Sequence, residues 1–349
     1  MEAPFFFYSK SLPEFLHKQH VSLAFSTFQA GKVIFISSVN GRSLQMYAKN
    51  FPRPMGIAIK DKQLAIANKS KVDLYSRSEA LAKSFPSKKN HYDTIYVPQV
   101  TYYTGMADIH EIEWGEEGLW AVNTAFSCLS LMDEQYSFVP KWQPDFITDL
   151  SPDDRCHLNG LAMKKGYPAY VSVFDKTNEK DGWRNGDVET GMIIDVSTHK
   201  VLVDHLPMPH SPYYSNDSLY FLLSATGEVM EYNLIEGSCK TITQLNNFIR
   251  GFEVYNDFLI IGASELRESS SAFDNISESV KKGGAGIYIL DRLTGDELAK
   301  ITFTDHIKEI FSVRLIEHTS RASIVTEKDQ EAYKFIHAPN QLDYWLKEN

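Results

Sequence analysis

The feature of this sequence that most constrains its fold is a repeated unit of short apolar strands separated by turn residues. One copy begins at Gly56, turns at Asp61 and continues through two further apolar stretches at 64–67 and 72–75. Five later copies follow at a mean interval of about 51 residues, and helical periodicity is scarce between them. This spacing is typical of the four-stranded blades of a β-propeller.

In each copy the first strand starts at or next to the same repeat position. The residues at this position are Met55, His110, Asn159, His210, Arg250 and Ile310. A similar stretch at 23–47 precedes all of them, and it is either a seventh blade or the strands that complete the last blade and close the ring. We count seven blades, with six as the alternative. The sequence therefore predicts an all-β, single β-propeller over 21–337, with an N-terminal extension at 1–20, a C-terminal tail at 338–349, and short terminal helices near 12–17 and 341–347.

Composition narrows the range of partners. The chain has 349 residues, a formal net charge of −10 and a pI of about 5.6, so it lacks the basic surface that nucleic acids and anionic membranes require. We therefore expect a small molecule or a peptide as substrate, and the sequence leaves the oligomeric state open.

The cysteines and the first residues bear on location. Three cysteines, none in a CxxC pair, fit a reducing compartment, and the apolar stretch at 4–8 has neither a basic flank nor the length of a signal peptide. The expected location is the cytoplasm.

The propeller geometry brings matching repeat positions together, because the innermost strands of all blades line one central channel. Four of these positions are polar and come from consecutive copies: His110, Asn159, His210 and Arg250. His157 lies two residues before Asn159 and so points to the same side of an extended strand. Asp108 occupies the matching position in the preceding copy, and Glu309 reaches the channel if the register of the last copy shifts by one residue.

These residues suggest a metal-dependent active site. The imidazoles of His110, His157 and His210 suit a divalent ion such as Zn²⁺, Fe²⁺, Mn²⁺ or Cu²⁺, with a position left open for water or substrate. Arg250 would then hold a substrate carboxylate, and Glu309 or Asp108 would act as general base or orient a histidine. The alternative is that the polar residues line a water-filled channel and join the blades by hydrogen bonds.

A polar segment at 175–189 is expected to loop over one face of the propeller. Trp183 and Arg184 lie in it and, with Asn159, are the candidate substrate-binding residues. A solvated loop with no contact to a ligand is the other interpretation of this segment.

Several longer motifs resemble those of a bacterial family of propeller-like proteins, catalogued mainly as conserved hypothetical proteins. The resemblance covers roughly 21–326, and among its motifs are Thr104-Gly-Met-Ala-Asp-Ile-His110, Asp154-Arg-Cys-His-Leu-Asn-Gly-Leu-Ala162, Asp181-Gly-Trp-Arg184 and Met208-Pro-His-Ser-Pro212. The shared motifs contain all three candidate metal-binding histidines, together with Cys128, Cys156, Asn159, Trp183 and Arg184. The resemblance implies the propeller fold and no particular reaction.

A more distant similarity is to the gluconolactonase-type and strictosidine-synthase-type propellers, through the Asn-Gly-Leu-Ala phrase at 159–162. In the lactonases that asparagine helps to bind a divalent metal, so the resemblance implies a Ca²⁺ or Zn²⁺ ligand at Asn159. Three functions therefore stay open: a histidine-based metal enzyme, a non-catalytic ligand-binding or scaffold propeller, and a lactonase-like hydrolase.

Overall fold

The computed structural model of the chain describes residues 5–266, 276–304, 306–340 and 342–346. Six sheets, each with four antiparallel strands, are arranged as blades around a central channel, and two of them carry a fifth, outer strand. In five of the six blades the two innermost strands are joined by a two-residue turn, as in the hairpin at Asn216–Asp217, where both residues have positive φ. Asn and Asp tolerate that conformation, which matches the right-handed twist of the flanking strands.

Blade 1 combines the two ends of the chain, and from the channel outwards its strands are β25 (Ser312–Glu317), β2 (Val21–Thr27), β3 (Lys32–Ser37) and β4 (Gln45–Asn50). Blade 2 has an additional outer strand, and its strands are β5 (Ile57–Lys60), β6 (Gln63–Ala67), β7 (Lys71–Ser78), β8 (Thr94–Tyr103) and β26 (Ala322–Ile324). Blade 3 contains β9 (Ile109–Gly115), β10 (Gly118–Asn123), β11 (Cys128–Leu131) and β12 (Val139–Trp142).

Blade 4 contains β13 (Gly160–Lys164), β14 (Tyr167–Val173), β15 (Gly191–Asp195) and β16 (Val201–Leu206). Blade 5 contains β17 (Pro209–Ser215), β18 (Ser218–Leu223), β19 (Glu228–Asn233) and β20 (Ser238–Gln244). Blade 6 contains β21 (Phe248–Tyr255), β22 (Phe258–Ser264), β23 (Gly286–Asp291), β24 (Glu297–Phe303) and the outer strand β1 (Phe6–Tyr8).

The remaining regular elements lie outside the blades: α1 (Ser11–Gln19), α2 (Glu79–Lys83), α3 (Glu278–Lys281), two 3₁₀ turns at Gly182–Asn185 and Gln330–Tyr333, and a hairpin of β27 (Phe335–Ala338) and β28 (Leu342–Trp345). Helix α1 packs Leu12 and Leu16 into the apolar layer between blades 6 and 1. No helix in the described ranges combines the length and the apolar composition needed to cross a membrane.

The structure confirms the all-β propeller and corrects the blade count from seven to six. The strands at 21–50 form no blade of their own, because β25 from the other end of the chain pairs antiparallel with β2 and supplies their innermost strand. The six starting positions found in the sequence all lie at the beginnings of the six innermost strands, so the repeat register was right. The last copy differs, since its second strand, β26, pairs parallel to β8 in blade 2.

One predicted helix is also wrong. The segment near 341–347 contains strand β28, while Gln341 and Lys347 lie outside the described residues. Its side chains alternate with period two: Leu342 and Tyr344 are exposed, and Trp345 packs its ring against Phe85 with centroids 5.3 Å apart. The expected N-terminal helix is present as α1.

The apolar core is divided into layers between neighbouring blades, and each of the six neighbouring pairs shares one layer. The innermost strands contact one another in sequence, and β25 contacts β5 to complete the ring. Closure leaves short edges only and fixes the order in which residues surround the channel.

Inside the channel, Arg314 of β25 connects two other inner strands, and Glu111 of β9 adds a third. Its guanidinium pairs with Glu113 of β9 and donates to the carbonyl of Phe252 in β21 at 3.1 Å. Glu111 accepts from the backbone N–H of Leu161 in β13 at 2.8 Å. Burial raises the pKa of Glu111 to about 8, although Arg314 nearby opposes the shift.

This cluster predicts a pH-dependent cost of folding. The pKa of Glu111 is higher in the folded chain than its ordinary value. Its contribution to the free energy of unfolding is therefore most favourable at low pH, where the carboxyl group is protonated in both states, and falls as the pH rises towards about 8. Glu111→Gln is neutral at every pH and keeps an oxygen for Leu161. The free energy of unfolding of this variant, relative to wild type, should therefore rise between about pH 5 and 8, by up to about 1.4 kcal/mol per pH unit. Urea unfolding at several pH values measures the difference.

The control is Glu134→Gln, on an exposed glutamate, whose difference from wild type should not change over that range. A flat difference for Glu111→Gln would contradict the buried position of this carboxyl group.

Candidate functional site

The mouth of the channel is built by turns that precede the inner strands of blades 3, 4 and 5. Asp108, His157 and Met208 all have positive φ, at 53°, 48° and 53°. Each lies two residues before a polar channel residue, which is His110, Asn159 or His210 respectively. The left-handed conformation is uncommon outside glycine, and its recurrence shows that the same turn presents a side chain to the channel in three consecutive blades.

β-Bulges follow the turns of blades 3 and 5, and a similar bulge lies in blade 6. The inner strand of blade 3 carries two residues, His110 and Glu111, opposite one residue of β10. Blades 5 and 6 have the same irregularity directly after His210 and Ile249. An extra residue re-aims the neighbouring side chains, and both His110 and Glu111 consequently border the channel.

The three histidines line one pocket of about 330 Å³ at the mouth. Its other lining residues are mostly aromatic or ionisable: Phe28, Met55, Asp108, Asp154, Phe174, Trp183, Arg184, Phe248, Arg250, Ser264, Glu265, Leu266, Glu309 and Phe311. The rings of His110 and His157 are adjacent, with centroids 4.9 Å apart, and Phe174 lies between His157 and His210, 4.6 and 4.9 Å from them.

Each of the three imidazoles is held through Nδ1. His110 Nδ1 is 3.2 Å from the carbonyl oxygen of Asp108, and His157 Nδ1 is 3.1 Å from a carboxylate oxygen of Asp154. Both partners are acceptors, so both nitrogens carry the proton. In a neutral ring the lone pair then lies on Nε2.

His210 has the same tautomer for a related reason. Its Nδ1 is 2.6 Å from Ser224 Oγ and 3.3 Å from the carbonyl oxygen of Met208. The hydroxyl of Ser224 donates its own proton to the carbonyl of Ile249, so its oxygen must accept from His210.

Burial keeps two of these rings neutral. It lowers the pKa of His110 and lowers that of His210 well below the usual value. Asp108 opposes the shift at His110, whereas the positive charge of Arg250 adds to the shift at His210. Neutral rings with free Nε2 lone pairs act as metal ligands or as bases.

Asp154 organises one wall of the pocket. Besides His157 it accepts from the indole N–H of Trp183 at 2.9 Å, and the guanidinium of Arg184 lies 3.9 Å away. The indole stacks on His157 with centroids 4.1 Å apart, and Arg184 lies over the indole at 4.2 Å. One carboxylate thus fixes the tautomer of a histidine and the position of an aromatic side chain.

The candidate catalytic residues are in the pocket but in different environments. Arg250 and Glu309 form an ion pair with each other, and the guanidinium stacks on Phe311 at 4.3 Å. Asp108 has a half-exposed carboxylate 3.7 Å from His110 Nδ1. Among the described pocket residues, the arginine more open to solvent is Arg184, whose side chain is 46% exposed against 13% for Arg250.

Asn159 lies deeper. It does not line the pocket but borders the narrow part of the channel below the histidines. Its Oδ1 accepts from Ser172 at 2.6 Å, and its Nδ2 has no hydrogen-bond partner among the described residues. The structure therefore separates Asn159 from Trp183 and Arg184, with which the sequence had grouped it.

Sequence reasoning missed Asp154, Ser224 and the aromatic walls. Asp154 was visible only as the first residue of a motif, three positions before His157, and its contact with Trp183 spans 29 residues. Ser224 follows strand β18 and gave no signal of its own. Within the described ranges, no group of three or more His, Cys, Asp or Glu side chains is arranged to hold a metal ion.

Comparisons with known proteins place the chain in a family and a fold. The family described as "Domain of unknown function (DUF4915)" matches residues 10–325. No curated protein matches the chain. Among solved structures, a chain of "Crystal structure of Nidogen/Laminin Complex" is similar, with a TM-score of 0.55 and 11% identity over 85% of this chain and 99% of that one. At that identity the similarity shows the propeller fold alone.

The role of Asp154 can be tested with an isosteric change. Asp154→Asn removes the negative charge and one acceptor oxygen. Because His157 Nδ1 lies 3.2 and 3.1 Å from the two carboxylate oxygens, the new N–H₂ group faces the N–H of His157 whichever way the amide is turned. We expect a loss of about 1–3 kcal/mol in the free energy of unfolding and a weaker near-UV circular dichroism signal from the indole.

Asp181→Asn is the matched control, because Asp181 also has positive φ but has a half-exposed side chain and accepts from Arg184. Equal losses in the two variants would show that Asp154 does not organise the wall.

Proposed function

The chain belongs to the family described as domain of unknown function DUF4915, and we propose that the mouth of its propeller is the active site of a metal-dependent enzyme. One observation carries the proposal: His110, His157 and His210 line one pocket, and each has its Nδ1 held by a carbonyl, carboxylate or hydroxyl oxygen. Metal-binding histidines are commonly held in this way, with the second nitrogen left for the ion.

The proposed ligands are the three Nε2 atoms, which would have to converge on one ion. Nitrogen ligands of this kind suit Zn²⁺, Mn²⁺, Fe²⁺ or Cu²⁺ better than Ca²⁺, which prefers oxygen. When bound, such an ion supplies a Lewis acid. Asp108, half-exposed beside His110, is placed to accept a proton from a substrate or a water molecule in the pocket.

The substrate we propose is a small anionic molecule or the end of a peptide. Arg184 at the rim can bind its negative group, because its guanidinium is the more exposed one. Its Nε donates to Asp181 at 3.2 Å and its Nη2 lies 3.9 Å from Asp154, and its other N–H groups can reach a ligand. Arg250 is paired with Glu309 and has a side chain that is only 13% exposed, so its role is to shape the wall beside His210. Phe174 and Trp183 exclude water from the reacting groups. A lyase or hydrolase reaction fits this set.

A metal-free acid–base enzyme is the second candidate. The pairing of Asp154 with His157 leaves a basic Nε2 facing the pocket without any ion, and the described residues hold no ready-made metal set. The lactonase-like alternative has less support, since Asn159 lies below the pocket and its Oδ1 accepts from Ser172. A scaffold without catalysis leaves the three held imidazoles unexplained.

For location we propose a reducing compartment such as the cytoplasm. Cys128, Cys156 and Cys239 are all unpaired, and the first two are buried.

The metal hypothesis predicts stoichiometric uptake. Protein purified without a histidine tag, incubated with Zn²⁺ and dialysed, should retain about one equivalent by elemental analysis. His110→Ala and His210→Ala should each lower the affinity by roughly 100-fold or more, because two ligands bind far more weakly than three. His17→Ala, on the exposed face of α1, is the control and should leave uptake unchanged.

Uptake below about a tenth of an equivalent by the wild type would contradict the metal site. The metal-free acid–base enzyme, based on Asp154 and His157, would then be favoured. Uptake that survives His210→Ala would contradict the ligand set.

A further inference from the structure

A second cavity lies on the side of the propeller, away from the mouth. It has a volume of about 290 Å³ and is lined by strands β3 and β4 of blade 1, the segment after α2 in blade 2, and the turn before β26. The lining residues that matter here are Phe35, Tyr47, Lys88, His91, Tyr92 and Arg321. No residue of the mouth contributes to it.

The cavity is cationic although the chain is acidic. Lys88 and Arg321 line it and no Asp or Glu does, whereas the chain as a whole has a formal charge of −10. The nearby Asp93 is already engaged, because its carboxylate accepts from the backbone N–H groups of Ser320 and Arg321 at 2.7 and 3.0 Å. Lining charges of one sign are what an ionic ligand of the other sign requires.

Arg321 has donors to spare. Its Nη1 donates to the carbonyl oxygen of His91 at 3.2 Å, and its Nε is buried without a partner among the described residues. Because Nε is buried, the guanidinium can reach a ligand in the cavity only through its Nη groups, of which Nη1 already donates to His91. The positive field also acts on His91, whose pKa is lowered by burial and further by the charges of Arg321 and Lys88.

The other walls are aromatic and fixed. The rings of Tyr47 and Tyr92 meet edge to face with centroids 5.9 Å apart, and Phe35 lies 6.4 Å from Tyr47. Tyr92 is held from behind by Phe85, at 5.7 Å, and the hydroxyl of Tyr47 donates to the carbonyl of Ile324 at 3.3 Å. Rigid rings offer a flat ligand contact area at little entropic cost.

We propose that this cavity is a second ligand site, which binds a small planar anion: an aromatic ring carrying a carboxylate or phosphate group. The ring packs against Tyr47 and Tyr92, and the anionic group accepts from Arg321 and Lys88. This site is independent of the chemistry proposed at the mouth.

The position of the site gives binding a structural consequence. Its walls come from blade 1, blade 2 and the segment that joins β25 to β26, so a bound anion connects both ends of the chain where the ring closes. Any ligand that binds only the folded chain raises its stability. Occupancy of this cavity should therefore stabilise closure.

The test uses naphthoate as the probe and the uncharged naphthamide as its match in shape. Calorimetry should show saturable binding of naphthoate to the full chain, at least about ten-fold tighter than naphthamide, with a concentration-dependent rise in melting temperature. Lys88→Gln should weaken naphthoate binding by roughly three- to ten-fold, and Arg321→Gln by more, because Arg321 is the less exposed donor.

Lys89→Gln is the matched control, since Lys89 is equally exposed but does not line the cavity. Lys88→Gln is an exposed change that leaves folding intact, so its result stands even if Arg321→Gln perturbs the turn. Equal binding of naphthamide, equal effects of Lys88→Gln and Lys89→Gln, or no saturable binding would each overturn the proposal. If naphthoate bound only at the mouth, Lys88→Gln and Lys89→Gln would have equal effects.

Discussion

The pairing of β25 with β2 is the interaction on which the rest of the structure depends. It joins residues about 290 positions apart, supplies blade 1 with its innermost strand and turns an open row of blades into a ring. Residues 108–110, 157–159 and 208–210 are about 50 positions apart along the chain and lie in three consecutive blades. They therefore surround one axis only when the ring is closed. Strand β25 contains Arg314, and Glu309 lies just before the strand. Closure of the ring therefore places the guanidinium of Arg314 in the channel and the carboxylate of Glu309 at the mouth. A chain that failed to close would lose the fold and the site together.

Local backbone irregularities then decide what the ring presents. A regular inner strand would alternate its side chains between channel and core, but the left-handed turn residues and the bulges place consecutive polar side chains on the channel side in blades 3 and 5 and Arg250 there in blade 6. The hydrogen bonds at Nδ1 follow from the same turns, since the carbonyl groups of Asp108 and Met208 fold back onto the histidines two residues later. Backbone that departs from ideal geometry is thus concentrated where we place the chemistry, as is usual for functional sites.

The sequence was informative wherever the signal is local. Period-two alternation and turn residues located all six inner strands, and the repeat register brought His110, His157 and His210 to one pocket as expected. What failed depends on distant partners: nothing near 21–50 reveals that its missing strand lies at 312–317, so seven blades were counted. The Arg250–Glu309 pair and the contact of Asp154 with Trp183 were missed for the same reason, because each joins segments that meet only through the fold. The helix expected near the C-terminus failed because a short apolar stretch does not distinguish helix from strand.

The central claim is that three imidazoles converge on one ion at the mouth. X-ray absorption at the zinc edge, on wild-type protein loaded with one equivalent of Zn²⁺, tests it most directly, because scattering from the imidazole rings counts histidine ligands and gives their distances. The proposed site should show three nitrogen ligands from histidine at about 2.0–2.1 Å and lose one of them in His210→Ala. A spectrum with no imidazole scattering, or one unchanged by His210→Ala, would contradict it.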